Sequence, residues 1–177
     1  MHRNNLKSLL ENYSPKGHAE HDYKQRMLEF LAICPDCFDR SCAIGHFTAS
    51  AWIINPAADK CLLMHHTKLD QWLQLGGHCD GDSDLLNVAI KEAQEESGIT
   101  AIEPVSQEIF DIDIHLIPPH KQVAAHYHFD VRFLLQVKSN AQISHNEEAQ
   151  DLQWFDFEST SLPTTQYSIL RMLQKMQ

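Results

Sequence analysis

The chain has 177 residues, of which 43% are hydrophobic and 21% charged, and this is enough for one domain with a sizeable core. Its formal net charge of -10 excludes broad binding to nucleic acid, which requires a basic surface, but permits a small anionic substrate held through a divalent cation. The longest apolar runs are too short for a membrane helix, and the polar N-terminus lacks a signal-peptide core. We therefore expect a cytoplasmic protein that binds neither nucleic acid nor a membrane.

The spacing of apolar residues predicts a single domain over residues 1–177, with helices at both ends of a β-rich body. The first two helices form an N-terminal helical extension over residues 1–40. Turn signals such as Asn55-Pro56 separate the β-rich segments. This order of elements indicates an α/β protein with a mixed sheet between helical layers. The predicted elements are helices at 2–12 and 19–33, strands at 47–54 and 61–65, a segment at 72–75 that leads into two glycines, a helix at 84–97, one or two strands within 101–117, strands at 126–137 and 152–157, and an amphipathic helix at 162–176.

The five cysteines are an odd number, which predicts reduced thiols and no disulfide framework. Cys34, Cys37 and Cys42 lie close together, and His46 follows them. This spacing fits a zinc site or a redox pair. It equally fits separate, partly buried thiols, because the sequence has no second C-x-x-C and no paired histidines at zinc-finger spacing. The sequence leaves open whether these cysteines bind a metal.

Three glutamates form the clearest chemical pattern in the chain. Glu92, Glu95 and Glu96 stand at i, i+3 and i+4, which places them on one face of the predicted helix. At about 6 Å and an effective dielectric of about 20, each pair repels by roughly 2–3 kcal/mol before screening. The helix dipole also disfavours acids near a helix C-terminus. The cluster is therefore either a solvated acidic face or a set of ligands for a hard cation such as Mg²⁺.

Residues 76–99 resemble the Nudix box, whose pattern is G-x5-E-x7-R-E-U-x-E-E-x-G-U, where U is aliphatic. The resemblance implies the Nudix fold, a mixed β-sheet in an α/β/α sandwich, to which the N-terminal helical segment is an addition. Its fixed positions at fixed gaps make agreement by chance improbable. The matching residues are Gly77, Glu92, Glu95, Glu96, Gly98 and Ile99.

Three positions depart from the pattern. Ser83 stands where the box has its early glutamate, Lys91 replaces the arginine, and Ala93 is a weak aliphatic match. In the family, the arginine and the early glutamate hold the loop and the helix together. Lysine lacks the planar fork that binds a carboxylate through two hydrogen bonds, and serine cannot form the ion pair. The residues of the same loop that could substitute are Asp80, Asp82 and Asp84.

The resemblance implies a pyrophosphohydrolase that cleaves a diphosphate linkage in a nucleoside diphosphate derivative, with Mg²⁺ or Mn²⁺ as cofactor. Carried over, Glu95 and Glu96 are metal ligands together with the Gly76 carbonyl. Glu92 orients or deprotonates water, or binds a second metal. A further acid from a later loop often completes such sites, and Glu147 and Glu148 are the candidates.

Two other functions remain open within the same fold. The first is a non-catalytic Nudix domain that binds a nucleotide metabolite as a sensor. The departures from the box at Ser83 and Lys91 leave this alternative open. The second is an isopentenyl-diphosphate isomerase, which ranks low because the expected cysteine motif is absent. No subgroup motif identifies the substrate. Family members are often homodimers, for which the N-terminal helices are a candidate interface.

Several residues outside the acidic cluster are candidates for substrate binding. Gly77 and His78 stand at the mouth of the loop, where His78 is either a phosphate or metal contact or an ordinary hydrogen-bonded histidine. On the strand at 126–137, His126, His128, Asp130 and Arg132 share one side, and this polar row indicates a cleft. Arg132 either binds phosphate or pairs with an acid.

Two aromatic and polar patterns have simpler interpretations. Trp72 either stacks on a base or belongs to the core, and the core is the commoner outcome. The alternation of Asp111, Asp113 and His115 predicts the solvent-facing side of a strand.

Overall fold

The computed structural model describes residues 3–139, 142–144, 146, 149–158 and 162–177. None of the helices within these ranges is long and apolar enough to cross a membrane. The elements are α1 (Arg3–Asn12), α2 (His18–Ile33), β1 (Gly45–Ile54), β2 (Lys60–His66), β3 (Gln71–Leu73), β4 (Leu75–His78), α3 (Leu85–Ser97), β5 (Ile102–Pro104), β6 (Asp111–Ile117), β7 (His126–Val137), β8 (Ala149–Asp156) and α4 (Tyr167–Met176).

The order of helices and strands predicted from the sequence is confirmed, but several boundaries differ. The segment predicted at 72–75 forms two short strands, β3 and β4, so Gly76 and Gly77 lie within a strand, and β8 begins at Ala149 instead of Leu152. The last helix begins at Tyr167, not at Leu162, so Pro163 lies outside its first turn. The hydroxyl of Thr164 accepts a hydrogen bond from the backbone N–H of Gln166 at 3.2 Å. Such a local side-chain bond favours a turn over a helix. The stretch at 101–117 contains two strands, β5 and β6.

The strands form one mixed sheet built around a long parallel pair. β1 and β7 run parallel over their shared length, from the Gly45↔Tyr127 pair to the Ile54↔Gln136 pair. β1 also pairs antiparallel with β4 and with β2, and β7 pairs antiparallel with β6 and β5. β2 carries β3 and β8. The predicted mixed sheet is therefore confirmed, and the β1–β2 hairpin is present.

The two faces of β1 have different partners because side chains alternate along a strand. Phe47, Ala49 and Ile53 belong to a hydrophobic cluster shared with α1, α2 and α3. Trp52 and Ile54 face the other way and pack in a second cluster with α4. The remaining residues of that second face are polar and buried, and they lie at the N-terminal end of the strand: His46, Thr48 and Ser50.

The N-terminal helical extension packs on the body of the protein. Leu6 and Leu10 of α1 and Phe30 of α2 lie in the same hydrophobic cluster as the strands. The ring of Phe30 stacks on Phe129 of β7 with centroids 4.1 Å apart and planes 5° apart. The extension therefore contributes to the main core.

A buried ionic network connects the extension to the sheet and to α4. Its centre is Asp111 of β6, which is fully buried and accepts hydrogen bonds from Arg132, Arg171 and Lys175 at 3.1, 2.7 and 2.6 Å. Lys175 also lies 3.0 Å from the carboxylate of Glu20 in α2. Buried charges cost much desolvation energy unless they are paired, so these groups depend on one another.

Candidate active site

The helix that carries the three glutamates is defined by caps at both ends. The carboxylate of Asp84 accepts a hydrogen bond from the backbone N–H of Asn87 at 3.2 Å, which makes Asp84 the N-cap of α3. Gly98 ends the helix with a φ of 69°, in the left-handed region that favours glycine. One apolar side of α3 is buried against the sheet, so its position relative to β4 is fixed. The residues on that side are Leu85, Val88, Ala89 and Ala93.

Two of the three glutamates face the glycines of β4. The Glu96 carboxylate is buried and accepts a hydrogen bond from the backbone N–H of Gly76 at 2.9 Å. A Cβ atom placed on Gly77 would lie 2.6 Å from the Glu92 carboxylate, so that carboxylate lies directly against the Gly77 backbone. Glu92 and Glu96, four residues apart on one helix, thus meet two consecutive glycines of the neighbouring strand.

Glu95 has a different environment. Its side chain is exposed, and one carboxylate oxygen lies 3.7 Å from Nζ of Lys91 one turn earlier. Exposed pairs of this kind contribute roughly 0–1 kcal/mol, so Glu95 can leave the pair at little cost. Lys91, which replaces the arginine of the box, therefore contacts a glutamate of its own helix.

Arg40 braces the loop before α3, a role that the sequence analysis missed. It forms a bidentate pair with Asp80, with both N···O distances at 2.6 Å. The Arg40 hydrogen bond lowers the pKa of Asp80 below its ordinary value. Asp80 thus ties the loop to Arg40 and Asp84 caps α3, whereas Lys91, at the position of the box arginine, pairs with Glu95. Arg40 lies forty positions away from Asp80, with no local motif to reveal the pairing.

Replacement of Gly76 and of Gly77 by alanine should affect stability and turnover differently. At Gly76, φ is +151° and a new Cβ would lie 2.5 Å from the Ser50 Cα, so we expect Gly76→Ala to lower the free energy of unfolding by about 2–4 kcal/mol. At Gly77, the atoms nearest to the new Cβ would be those at the flexible end of the Glu92 side chain. Gly77→Ala should cost less than about 1 kcal/mol yet displace that carboxylate and lower kcat about 100-fold. Urea denaturation and turnover measured on both variants separate the two effects, and equal losses of stability would contradict this difference.

A cleft of about 510 Å³ lies beside the glycines and the acidic helix. Both the Nudix-box segment and the polar face of the sheet contribute to it, through Gly77, Glu92 and His128 among others. Arg40 and Lys68 are cationic residues on its wall. A second depression, of about 630 Å³, lies near Tyr13, Phe110 and Lys175, and its lining contains none of the predicted site residues.

Histidines crowd the polar end of this cleft. The rings of His46, His78 and His128 have centroids between 4.7 and 5.1 Å apart. Burial, together with the neighbouring histidines, lowers the pKa of His46 to about 4 and that of His128 to about 2. Both rings are therefore neutral near pH 7. The predicted polar row on β7 does line the cleft at His128 and Asp130.

Arg132 does not lie on the cleft wall, so we remove it from the predicted substrate-binding residues. Its side chain is buried, and its guanidinium pairs with Asp130, Asp111 and Asp113 at 2.7, 3.1 and 3.3 Å. The alternative of pairing with acids is the one observed. The guanidinium is held where a phosphate cannot reach it.

The interpretation of Asp111 and Asp113 as a solvent-facing row is wrong. Both carboxylates are covered, because α4 supplies Arg171 to pair with them. Burial raises the pKa of Asp113, but the His115 hydrogen bond and the Arg132 charge outweigh burial and lower it to about 2. His115 itself is exposed and lies at the cleft.

The cysteine segment shows no metal-ligand geometry in the described part of the chain. The sulfur atoms of Cys34 and Cys42 lie 2.9 Å apart as free thiols, and the Cys37 sulfur accepts a hydrogen bond from Arg3 at 3.1 Å. Burial raises the pKa of Cys34 to about 11, which favours the thiol over the thiolate that binds metals. The alternative of separate, partly buried thiols fits this arrangement.

Two further predictions have different outcomes. Trp72 stacks on His65 with ring centroids 5.1 Å apart and meets Phe155 edge-on. It therefore packs with the core, as one of its two predicted roles required, and is not free to stack on a base. The candidates for an additional acid, Glu147 and Glu148, lie outside the described residues.

The residues around Gly76 and Gly77 fit a divalent cation. Glu92 and Glu96 bring carboxylate oxygens to the glycine backbone, and hard cations such as Mg²⁺ prefer oxygen ligands. The absence of a side chain at Gly77 leaves the space that the Glu92 carboxylate occupies, and at Gly76 it permits the close approach of Ser50 on β1. The carboxylate oxygens of Glu92 and Glu96 are therefore ligands of the type that a divalent cation prefers, and they lie beside the backbone of Gly76 and Gly77.

Comparisons with known proteins agree with this geometry. No curated protein matches the chain by sequence. Among solved structures, an Ap4A hydrolase from C. elegans in a binary complex superposes with a TM-score of 0.58 at 18% identity, covering 73% of this chain and 93% of that one. A MutT NUDIX hydrolase from Burkholderia pseudomallei gives 0.56 at 17% identity, covering 74% and 97%.

A third solved structure, the dihydroneopterin triphosphate pyrophosphohydrolase of E. coli, has a TM-score of 0.56 at 15% identity, covering 73% of this chain and 92% of that one. At these identities the likenesses establish the fold. The family itself is established by the model of the NUDIX domain, which matches residues 45–175. That range begins with β1 and leaves the N-terminal helical extension outside the match. Because the match covers well over half of the chain, this protein belongs to the NUDIX domain family, as the residues at 76–99 predicted.

Proposed function

We propose that this protein hydrolyses a diphosphate linkage in a small nucleoside diphosphate derivative, with Mg²⁺ or Mn²⁺ as cofactor. The observation that carries the proposal is the contact of Glu92 and Glu96 with the glycines of β4 at the edge of the cleft. Family membership adds support, because the glutamates occupy the matching positions of the box.

Each residue of the site has a distinct proposed role. Glu95, Glu96 and the Gly76 carbonyl hold the cation, which neutralises the diphosphate and activates water when bound. Glu92 orients or deprotonates the attacking water, or helps to hold a second ion. Its position against Gly77 keeps its carboxylate at the border of the cleft.

The substrate-binding residues are proposed from the wall of the cleft. Gly77 and His78 border it, and His78 contacts the diphosphate either directly or through a metal ion. Lys68 supplies positive charge on this wall in place of Arg132, whereas the neighbouring Arg40 is paired with Asp80. We further propose that residues 1–177 act as one domain, because α1 and α2 share the main hydrophobic cluster with the sheet.

A substrate panel tests the proposal. The protein is incubated with Mg²⁺ or Mn²⁺ and nucleotide sugars, dinucleotides and nucleoside triphosphates, and release of phosphate or nucleoside monophosphate is measured. The similar structures include an Ap4A hydrolase and a dihydroneopterin triphosphate pyrophosphohydrolase. The panel therefore contains Ap4A and dihydroneopterin triphosphate. We expect turnover of at least one compound, its loss in EDTA and its recovery with excess Mg²⁺. Binding across the panel without turnover would instead support a nucleotide sensor.

A further inference from the structure

Three strands bring three histidines together at one end of the cleft. His46 lies on β1, His78 on β4 and His128 on β7, and we call these residues the three-histidine cluster. A ring nitrogen from each lies within 4.8 Å of the corresponding nitrogens of the other two. Among the described histidine, cysteine, aspartate and glutamate side chains, this is the group of three whose potential ligand atoms all lie within that distance of one another.

The strand pairings explain why the rings converge. In the parallel β1–β7 pair, His46 is directly opposite His128. In the antiparallel β1–β4 pair, His78 is opposite Thr48, two residues further along β1 and on the same face as His46. The three side chains thus emerge from adjacent positions on one face of the sheet.

Several nitrogens of the cluster have no hydrogen-bond partner among the residues that the structure describes. Both ring nitrogens of His46 are buried and unpaired, and so is Nε2 of His128. His46 is only 2% exposed, so water cannot readily hydrogen-bond to its ring nitrogens. Buried polar atoms are nearly always hydrogen-bonded in native proteins, and an unpaired group therefore indicates a missing partner.

The charge state of the rings favours a metal ion as that partner. Burial lowers the pKa of His46 to about 4 and that of His128 to about 2, so both rings are neutral near pH 7. A neutral imidazole has one nitrogen with a free lone pair, and this is the form that binds metals. An anion would need the protonated form, which the crowding of the rings opposes.

We propose that the three-histidine cluster binds one divalent transition-metal ion of the zinc class, at a site separate from the glutamates. Three imidazole nitrogens suit Zn²⁺ and its neighbours in the first transition row, whereas Mg²⁺ prefers oxygen. Zn–N bonds of about 2.0–2.1 Å place the nitrogens roughly 3.3 Å apart, so the ring nitrogens need to approach one another by at most about 1.5 Å through small side-chain rotations. Three protein ligands leave one coordination position open, as in catalytic zinc sites.

The open position belongs to the same cleft as the acidic helix. His78 and His128 line this cleft together with Glu92 and Gly77. An ion held by the histidines can therefore bind a phosphate oxygen or a water molecule within the cleft. This metal binding does not depend on the proposed hydrolysis, and it is measured without substrate.

Metal titration tests the site directly. Protein freed of metal by chelation is titrated with Zn²⁺ against a chromophoric chelator, and Co²⁺ absorption in the visible range reports the ligand geometry. We expect one tightly bound Zn²⁺ per chain, which millimolar Mg²⁺ does not displace. His78→Ala should weaken Zn²⁺ binding at least 100-fold, while His21→Ala, an exposed histidine on α2, should leave it unchanged.

The variants distinguish this site from the glutamate site. His78 is half-buried, so His78→Ala should keep its fold, as near-ultraviolet circular dichroism will show; His78→Gln is the second variant if it does not. Glu96→Gln should retain full Zn²⁺ binding. The proposal is overturned if the wild type binds no Zn²⁺ at micromolar concentrations. It is equally overturned if Zn²⁺ binding survives both His78 variants, or if it is lost in Glu96→Gln while His78→Ala binds normally.

Discussion

Replacement of Glu96 by glutamine is expected to lower kcat by on the order of 10³-fold, because it removes a charged metal ligand that is worth several kcal/mol in the transition state. Glutamine keeps the length of the side chain and an oxygen that can accept the Gly76 N–H bond, so the fold should persist. Turnover of the best compound from the substrate panel, measured over a range of Mg²⁺ concentrations, provides the readout. The Mg²⁺ concentration required for half-maximal activity should rise as well.

Glu103→Gln is the matched control for this substitution. Glu103 is an exposed acid on β5 that pairs with Lys138 at 3.2 Å, away from the cleft. Its replacement removes the same charge from the protein and should leave kcat within about twofold, since a surface pair contributes little. Near-wild-type turnover by Glu96→Gln would remove Glu96 from the proposed metal ligands.

Asp111→Asn is expected to lower the free energy of unfolding by about 3–5 kcal/mol, because it leaves several buried cations without their shared carboxylate. Arg132, Arg171 and Lys175 all donate to Asp111. For a chain of this length, such a loss corresponds to a decrease in Tm of about 10 °C. Urea denaturation and thermal unfolding provide two independent measurements.

A surface pair provides the comparison for the buried network. Asp156 pairs with Lys60 at 3.1 Å, but the two side chains are 61% and 39% exposed. Asp156→Asn should therefore change the stability by less than about 1 kcal/mol. If Asp111→Asn were no more destabilising than Asp156→Asn, the buried network would not be a major source of stability.

The sequence predicted those parts of the fold and the site that depend on local patterns. The acidic helix, its capping residues and the glycines before it lie within one stretch of 24 residues, and their spacing encodes their arrangement. The helices and strands followed from apolar periodicity in the same way. Fixed gaps between a few residue types were enough to identify the family.

Other parts depend on contacts between distant segments, which spacing along the chain does not reveal. The alternation of Asp111 and Asp113 with apolar residues fits a strand with one solvent-facing side. That side is buried because Arg171 and Lys175 of α4 pair with its carboxylates. The Arg40–Asp80 pair and the convergence of His46 with His128 likewise join residues far apart. The sequence could not decide between phosphate binding and acid pairing for Arg132, because a polar row on a strand has the same pattern in front of a cleft and in a covered ion pair.

The parallel β1–β7 pair has a consequence for the order in which the molecule assembles. Thr48 hydrogen-bonds Asp130 across a separation of 82 residues, and every pair in this register spans the same distance. Closing so long a loop costs entropy before the contacts repay it, and non-local pairings of this kind slow folding. The β4–α3 segment can form its glycine–glutamate contacts early and locally. The histidines can meet only after the two halves of the chain have joined, so Zn²⁺ binding during refolding would report the completion of the sheet.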